Sequence, residues 1–198
     1  RFDAAELGEP DLGSIVENRN LQAALLACCV ESGMAVAHSR LDSLVVDADG
    51  ARLDLEGGGR VVADLVVGAD GASSAVRRLL GIGETVRGYG ERGIVATVAS
   101  ERGHQRTAWQ RFLGTGPLAL LPLANGESSI VWSAQDEKAA ALMELPAAEF
   151  SAALTAASAG VLGRLELTSA RAAFPLRRMT ARRFAGSRCA LVGDAAHV

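Results

Sequence analysis

Two aspartates stand where an α/β sheet does its chemistry. Asp194 follows the apolar run Cys189-Ala190-Leu191-Val192 and one glycine, Gly193. Asp70 follows Leu65-Val66-Val67 through Gly68-Ala69, and Gly71 comes next. A short apolar run of this kind reads as a buried strand, and its carboxyl end is where open α/β sheets hold their ligands. An ionised carboxylate only accepts hydrogen bonds, so it suits the hydroxyls of a sugar or ribityl chain. The small residues after Asp194 could open a helix whose first amides face a phosphate. Gly193 and Ala195 would let a ligand come close to the backbone. Each aspartate also has a plainer reading as the cap of the helix that starts beside it.

Few other side chains are spaced for chemistry. His197 is a base by residue type, with packing or capping as the plainer reading. His38 and His104 have no ligand-type neighbours, so no metal site is expected. No acid–base triad is evident. Cys28, Cys29 and Cys189 form no disulfide framework and read as buried free thiols of a reducing compartment. The net charge of −3 gives no reason to expect a nucleic-acid partner. No apolar run approaches the roughly 20 residues of a membrane span. Arg171, Arg177, Arg178, Arg182, Arg183 and Arg188 form a basic run. A solvated face is the default for such a run, and contact with a dinucleotide phosphate or an anionic membrane surface is the sharper alternative.

The elements that position these residues follow from pattern. Ile15-Val16 reads as a short extended piece. Asn18 or Asn20 is expected to cap a helix carrying Leu21, Leu25, Cys28 and Cys29, which Gly33 ends. Met34-Ala35-Val36 and Leu44-Val45-Val46 read as strands. Asp49-Gly50 signals a hairpin, residues 52–56 alternate, and Gly57-Gly58-Gly59 marks a second turn, so residues 34–67 form a small meander. After Asp70, Ser73 or Ser74 can cap a helix over Val76, Arg77 and Leu80, with Arg77 pairing with a carboxylate such as Asp70. The long stretch to Ala185 begins with strands at 93–99, 107–113, 118–122 and 128–133. Asn125-Gly126 is its strongest hairpin signal. Two alanine-rich helices follow, at 137–145 and 147–159, with Pro146 at the start of the second. A last strand spans 165–174, and Pro175 is expected to break it. The result is an antiparallel sheet with helices on one face, inserted between two strands of a nucleotide-binding sheet.

Gly68-Ala-Asp-Gly-Ala-Ser-Ser-Ala-Val-Arg77 resembles the Asp-Gly motif of single-component FAD-dependent aromatic monooxygenases of the para-hydroxybenzoate-hydroxylase type. Leu191-Val-Gly-Asp-Ala-Ala-His197 is similar to their Gly-Asp motif. The segments 107–123 and 128–133, Val16-Glu-Asn18 and Phe174-Pro-Leu176 resemble the ubiquinone-biosynthesis hydroxylase branch.

The resemblance implies a mixed α/β fold. Residues 1–83 and 186–198 would be part of a Rossmann-like FAD-binding domain, and 84–185 an inserted antiparallel substrate domain. The family's opening strand–Gly-x-Gly-x-x-Gly–helix unit and its segments beyond the Gly-Asp motif are not in this sequence. The chain therefore reads as an internal piece, inactive alone and expected to bind FAD weakly or not at all. Asp194, Gly193, Ala195, Asp70, Gly71, Asn18 and Arg19 would face FAD. Trp109, Phe112, Leu120 and Trp132 would line a pocket for a prenylated ring, with ordinary core as the plainer reading.

The implied reaction is ring hydroxylation of a polyprenyl phenol or quinol by O2 through a flavin C4a-hydroperoxide, with NAD(P)H as electron donor. Other ubiquinone-biosynthesis proteins would be partners, and the location would be cytoplasmic, peripheral to the inner membrane. Alternative readings are an accessory or scaffold protein of the same fold that has lost catalysis, and a related flavin reductase or halogenase.

Overall fold

A computed structural model describes residues 2–198. They fall into two compact units. One takes the chain up to Ala35 together with Gly90–Pro175, and the other takes Val36–Tyr89 with Leu176–Val198. Two strands, β5 (Glu84–Ser100) and β10 (Ala172–Ala181), carry the chain between them.

In the first unit, α1 (Asn18–Glu31) ends where Gly33 turns left-handed, at φ 77°. Its N-cap is Glu17, not either asparagine, and it caps through no side-chain hydrogen bond. The Glu17 carboxylate instead accepts from Arg19 at 2.9 Å and from Asn20 at 3.2 Å. None of the α1 side chains is buried, and Leu21, Leu25, Leu26 and Val30 are exposed. The thiol of Cys28 on this helix is exposed and that of Cys29 half-buried, so only Cys189 is the buried thiol expected of all three. The helical spacing was legible, but burial depends on what packs over the helix, and no residue of α1 is covered beyond the half-burial of Cys29.

The sheet of this unit runs β10-β5-β8-β7-β6, with β9 also on β5. Its strands are β6 (Trp109–Leu113), β7 (Gly116–Pro122), β8 (Ser128–Gln135) and β9 (Leu165–Leu167). β7 and β8 form the hairpin that Asn125-Gly126 signals, in the register Leu118↔Trp132, Leu120↔Ile130 and Pro122↔Ser128. Helices α3 (Asp136–Glu144) and α4 (Ala147–Ala157) follow, with Pro146 as the N-cap of α4. Ile94, Val98, Leu118, Leu120, Ile130 and Trp132 of the sheet meet Leu142, Phe150 and Leu154 of the helices in one core. Alternation leaves the residues between them, such as Leu121 and Val131, half-buried on the other face.

Pro175 does not break the last strand. It lies inside β10, which stands at one end of the six-stranded sheet. An edge strand has one row of amides without a sheet partner, so a residue lacking an N–H is tolerated there.

The second unit holds the meander β1 (Leu41–Val46), β2 (Ala51–Leu55) and β3 (Gly59–Ala63), antiparallel in that order. Met34–Val36, expected as a strand, pairs with nothing among the described residues. A three-stranded sheet has the order β11-β12-β4, built from β11 (Ala185–Gly186), β12 (Cys189–Leu191) and β4 (Val66–Gly68). Helix α2 (Ala75–Leu79) follows β4, capped by Ser74, whose hydroxyl accepts the Arg77 amide at 2.9 Å. Leu44, Val66, Val76, Ile82 and Leu191 form the core, together with Ala181, Ala195 and Ala196.

Candidate functional site

β4 and β12 run parallel and adjacent, with Cys189 opposite Val66, Ala190 opposite Val67 and Leu191 opposite Gly68. The Val192 amide continues the ladder to the Gly68 carbonyl at 2.9 Å. Two apolar runs more than a hundred residues apart therefore end level, and the loops carrying Asp70 and Asp194 leave the same edge of one sheet.

The two carboxylates differ in what they do. Asp70 is spent within the fold. It accepts the Ser74 hydroxyl at 2.5 Å and the amides of Ala75 and Val76 at 2.7 and 3.1 Å. Asp70 and Ser74 together thus take the amides that open α2. Partial burial pushes the Asp70 carboxyl up, but hydrogen bonds from the Ser74 hydroxyl and from the amides of Val76, Asp70 itself and Ala75 outweigh it. The group is held below the ordinary aspartate value of 3.8.

A carboxyl depressed on folding adds stability that is present above its unfolded pKa and lost as pH falls through its folded one. Asp70→Ala is expected to cost about 1 kcal/mol at neutral pH, as for a lost helix cap. The gap between variant and parent should close as pH drops below 3.8. Urea titrations at several pH values check both.

Asp194 is exposed, and its side chain has no hydrogen-bond or ion-pair partner among the described residues. The expected helix after it is a single 3₁₀ turn, Gly193–Ala195. Gly193 sits at φ 55°, a left-handed conformation that a side chain would strain, and a Cβ built there meets nothing within 4 Å. The turn is anchored from behind by Ala195 and Ala196, both in the core. Its amides at Ala196 and His197 return to the Gly193 carbonyl.

Arg77 does not pair with Asp70. Its guanidinium is buried and donates to the Ala195 carbonyl at 2.8 Å and the Ala72 carbonyl at 2.7 Å, and it forms an ion pair with Glu84. Asp70 is engaged by its own loop, and the arginine turns the other way. The Asp-Gly motif made this arginine visible, but nothing in the sequence points to Glu84 or to a carbonyl 118 residues away.

Gly71 is left-handed at φ 82° beside Asp70. Asn18 and Arg19 open α1 in the other unit, exposed, with Arg19 paired to Glu17. Leu120 and Trp132, expected at a pocket wall, are 2% and 4% exposed in the core beneath α3 and α4. Trp132 packs against Phe150 with ring centroids 6.1 Å apart. Trp109 and Phe112 are 41% and 81% exposed. Phe112 lies opposite Pro117, on the sheet face turned away from the helices.

His197 stacks near Phe184, with centroids 5.9 Å apart, and bridges Thr180. His104 closes its own loop, accepting the Arg106 amide at Nδ1 and facing the Leu123 carbonyl with Nε2. The basic run divides. Arg171 donates to the Leu142 and Leu145 carbonyls and stacks 4.8 Å over Phe150, and Arg188 donates to the Asp64 and Ala48 carbonyls. Arg177, Arg178, Arg182 and Arg183 are exposed.

The sequence profile of the FAD-binding domain family matches residues 10–198. The chain belongs to that family. It is 40% identical over 188 residues to ubiquinone hydroxylase UbiL of Rhodospirillum rubrum, a match covering 94% of this chain and 44% of that protein. It is 37% identical over 204 residues to 3-demethoxyubiquinol 3-hydroxylase of Escherichia coli, covering 99% of this chain and 50% of that one. Among solved structures, the flavin-dependent halogenase CmlS shares the fold, with a TM-score of 0.75 at 20% identity over 92% of this chain and 35% of that chain. The chain spans about half the length of the curated relatives it matches.

The residues fit the cofactor. Asp194 offers a free carboxylate at the end of a parallel strand, and Gly193 keeps the space beside it open.

Proposed function

We propose that this chain is the central part of a flavin-dependent monooxygenase that hydroxylates the ring of a polyprenyl phenol or quinol in ubiquinone biosynthesis. One observation carries the reading. Of two carboxylates set level by parallel strands, one is consumed by its own loop and the other is left free in a chain of the FAD-binding family. In this reading the Asp194 carboxylate accepts the ribityl hydroxyls of FAD, while Gly193 and Ala195 let the backbone lie close to it. Asp70 and Gly71 hold the neighbouring loop, and Asn18 and Arg19 at the start of α1 face the cofactor.

Residues 1–83 and 186–198 would serve the flavin and 84–185 the substrate. Phe112 supplies apolar surface for the ring or its tail on the open face of the sheet, while Trp109, opposite Leu120, lies on the helix side and is the weaker candidate. Leu120 and Trp132 support that sheet from the core side. Bound FAD supplies the oxygen chemistry. The protein holds the ring in place and keeps water out. Overall, one atom of O2 enters the ring and the other leaves as water, with two electrons from NAD(P)H.

A substrate with a long apolar tail resides in or beside a bilayer. Among the described residues no helix is long and apolar enough to cross a membrane. The exposed Arg177, Arg178, Arg182 and Arg183 suit peripheral contact with anionic headgroups, in keeping with a place on the cytoplasmic side of the inner membrane beside other enzymes of the pathway.

The test uses the protein in its full length. It should purify yellow or take up FAD, and should consume NAD(P)H and O2 when given a polyprenyl phenol, with product heavier by one oxygen atom. A protein that cannot be loaded with flavin would overturn the reading in favour of an accessory role.

A further inference from the structure

We propose that Arg77 is a positioning residue for the flavin site, holding the Gly193–Ala195 turn and so setting where the Asp194 carboxylate points. The proposal rests on the reading of Asp194 as an FAD ligand. Three segments meet on one buried guanidinium, which is 6% exposed. They are the loop after β4 through the Ala72 carbonyl, the turn after β12 through the Ala195 carbonyl, and the first residue of β5 through the Glu84 carboxylate.

The Ala195 carbonyl belongs to the residue next to Asp194. The bond therefore ties α2 to the residue that follows the free carboxylate. Asp194 has no such tie through its own side chain. Its direction is set by the backbone of a three-residue turn, whose glycine at φ 55° has wide conformational freedom. One end of that turn is fixed by the ladder at Val192. The other is fixed by burial of Ala195 and Ala196 and by the arginine.

The guanidinium serves these acceptors from two nitrogens at fixed spacing, one toward the Ala195 carbonyl and the other toward the Ala72 carbonyl and Glu84. Lysine keeps the charge but presents its donors from one flexible point, so Arg77→Lys is not a conservative change here. Glu84 pairs its charge with the guanidinium from the first residue of β5.

The experiment is a double-mutant cycle on FAD affinity, measured by flavin fluorescence quenching with the apo form of the full-length protein. Arg77→Lys is expected to weaken FAD binding about tenfold in the parent background and less than about twofold in an Asp194→Asn background, because contacts that act through one another do not add. A merely structural role would give the same fold-loss in both backgrounds, and that result overturns the proposal, as does an unchanged affinity.

If Asp194→Asn by itself leaves affinity unchanged, the reading of Asp194 fails, and the proposal falls with it. If Arg77→Lys does not fold, Glu84→Gln replaces it, since it leaves the carbonyl bonds and removes the charge that pairs with the guanidinium. It should show a smaller loss with the same dependence on Asp194, and equal losses in the two backgrounds again overturn the proposal.

Discussion

Asp194→Ala is expected to weaken FAD binding by the full-length protein about 10- to 100-fold while leaving its thermal stability nearly unchanged. A hydrogen bond to a charged group contributes about 1.5–3 kcal/mol, and each 1.4 kcal/mol is tenfold in affinity. The stability half of the expectation is what separates a ligand residue from a cap. Asp194 is exposed and bonded to nothing through its side chain, so removing it deletes no contact of the fold. Asp70→Ala should do the reverse, losing stability first, because its carboxylate serves Ser74, Ala75 and Val76. Calorimetric titration of both apo variants with FAD, beside their melting curves, checks the contrast. A melting temperature that falls for Asp194→Ala with affinity unchanged would make it a structural residue after all.

A large stability effect is expected at Gly68. A Cβ placed there would lie 2.7 Å from Leu191 Cδ2, 2.9 Å from Val76 Cγ1 and 3.0 Å from Val76 Cβ. Helix α2 and strand β12 thus both close on the backbone of β4 in the space a side chain would need. Overpacking a filled core costs about 1–3 kcal/mol and sometimes more. Gly68→Ala is expected to fall in that range. Gly68→Val should exceed it and take a large part of the roughly 5–15 kcal/mol by which a domain is stable. The mechanism has its own check. Val76→Ala removes Cγ1, one of the three atoms in the way, so Gly68→Ala with Val76→Ala should be somewhat less destabilised than the two single effects together. Denaturant midpoints for the three variants measure this, and strict additivity would place the cost elsewhere.

Gly68 also shows how legible this chain was. The pattern of apolar run, Gly-Ala-Asp-Gly and serine cap located β4, Asp70 and α2, because each is a local property of backbone and side chain. The same holds for the β7–β8 hairpin at Asn125-Gly126 and for the two alanine-rich helices. Where expectation and structure parted, the cause was a neighbour distant in sequence. Pro175 stands within β10 because that strand is an edge. Trp132 went to the core because its face of β8 is the one the helices cover. Arg77 turned to Ala195, while Asp70 is engaged by its own loop. Met34–Val36 has the composition of a strand and no partner to make it one.

The sequence alone determined that two carboxylates follow two apolar strands, which the structure buries on one face while leaving Val67 and Val192 exposed, and it carried the resemblance to flavin monooxygenases, since strand, glycine and acid lie close together in the chain. It left both aspartates open between ligand and cap. Tertiary structure shows which of the two the fold itself uses, as spacing cannot, because how many of a carboxylate's acceptor positions are taken depends on what folds around it. The Asp70 loop curls back and takes three of them. The Gly193–Ala195 turn, held from behind by Arg77 and the core, leaves those of Asp194 facing outward.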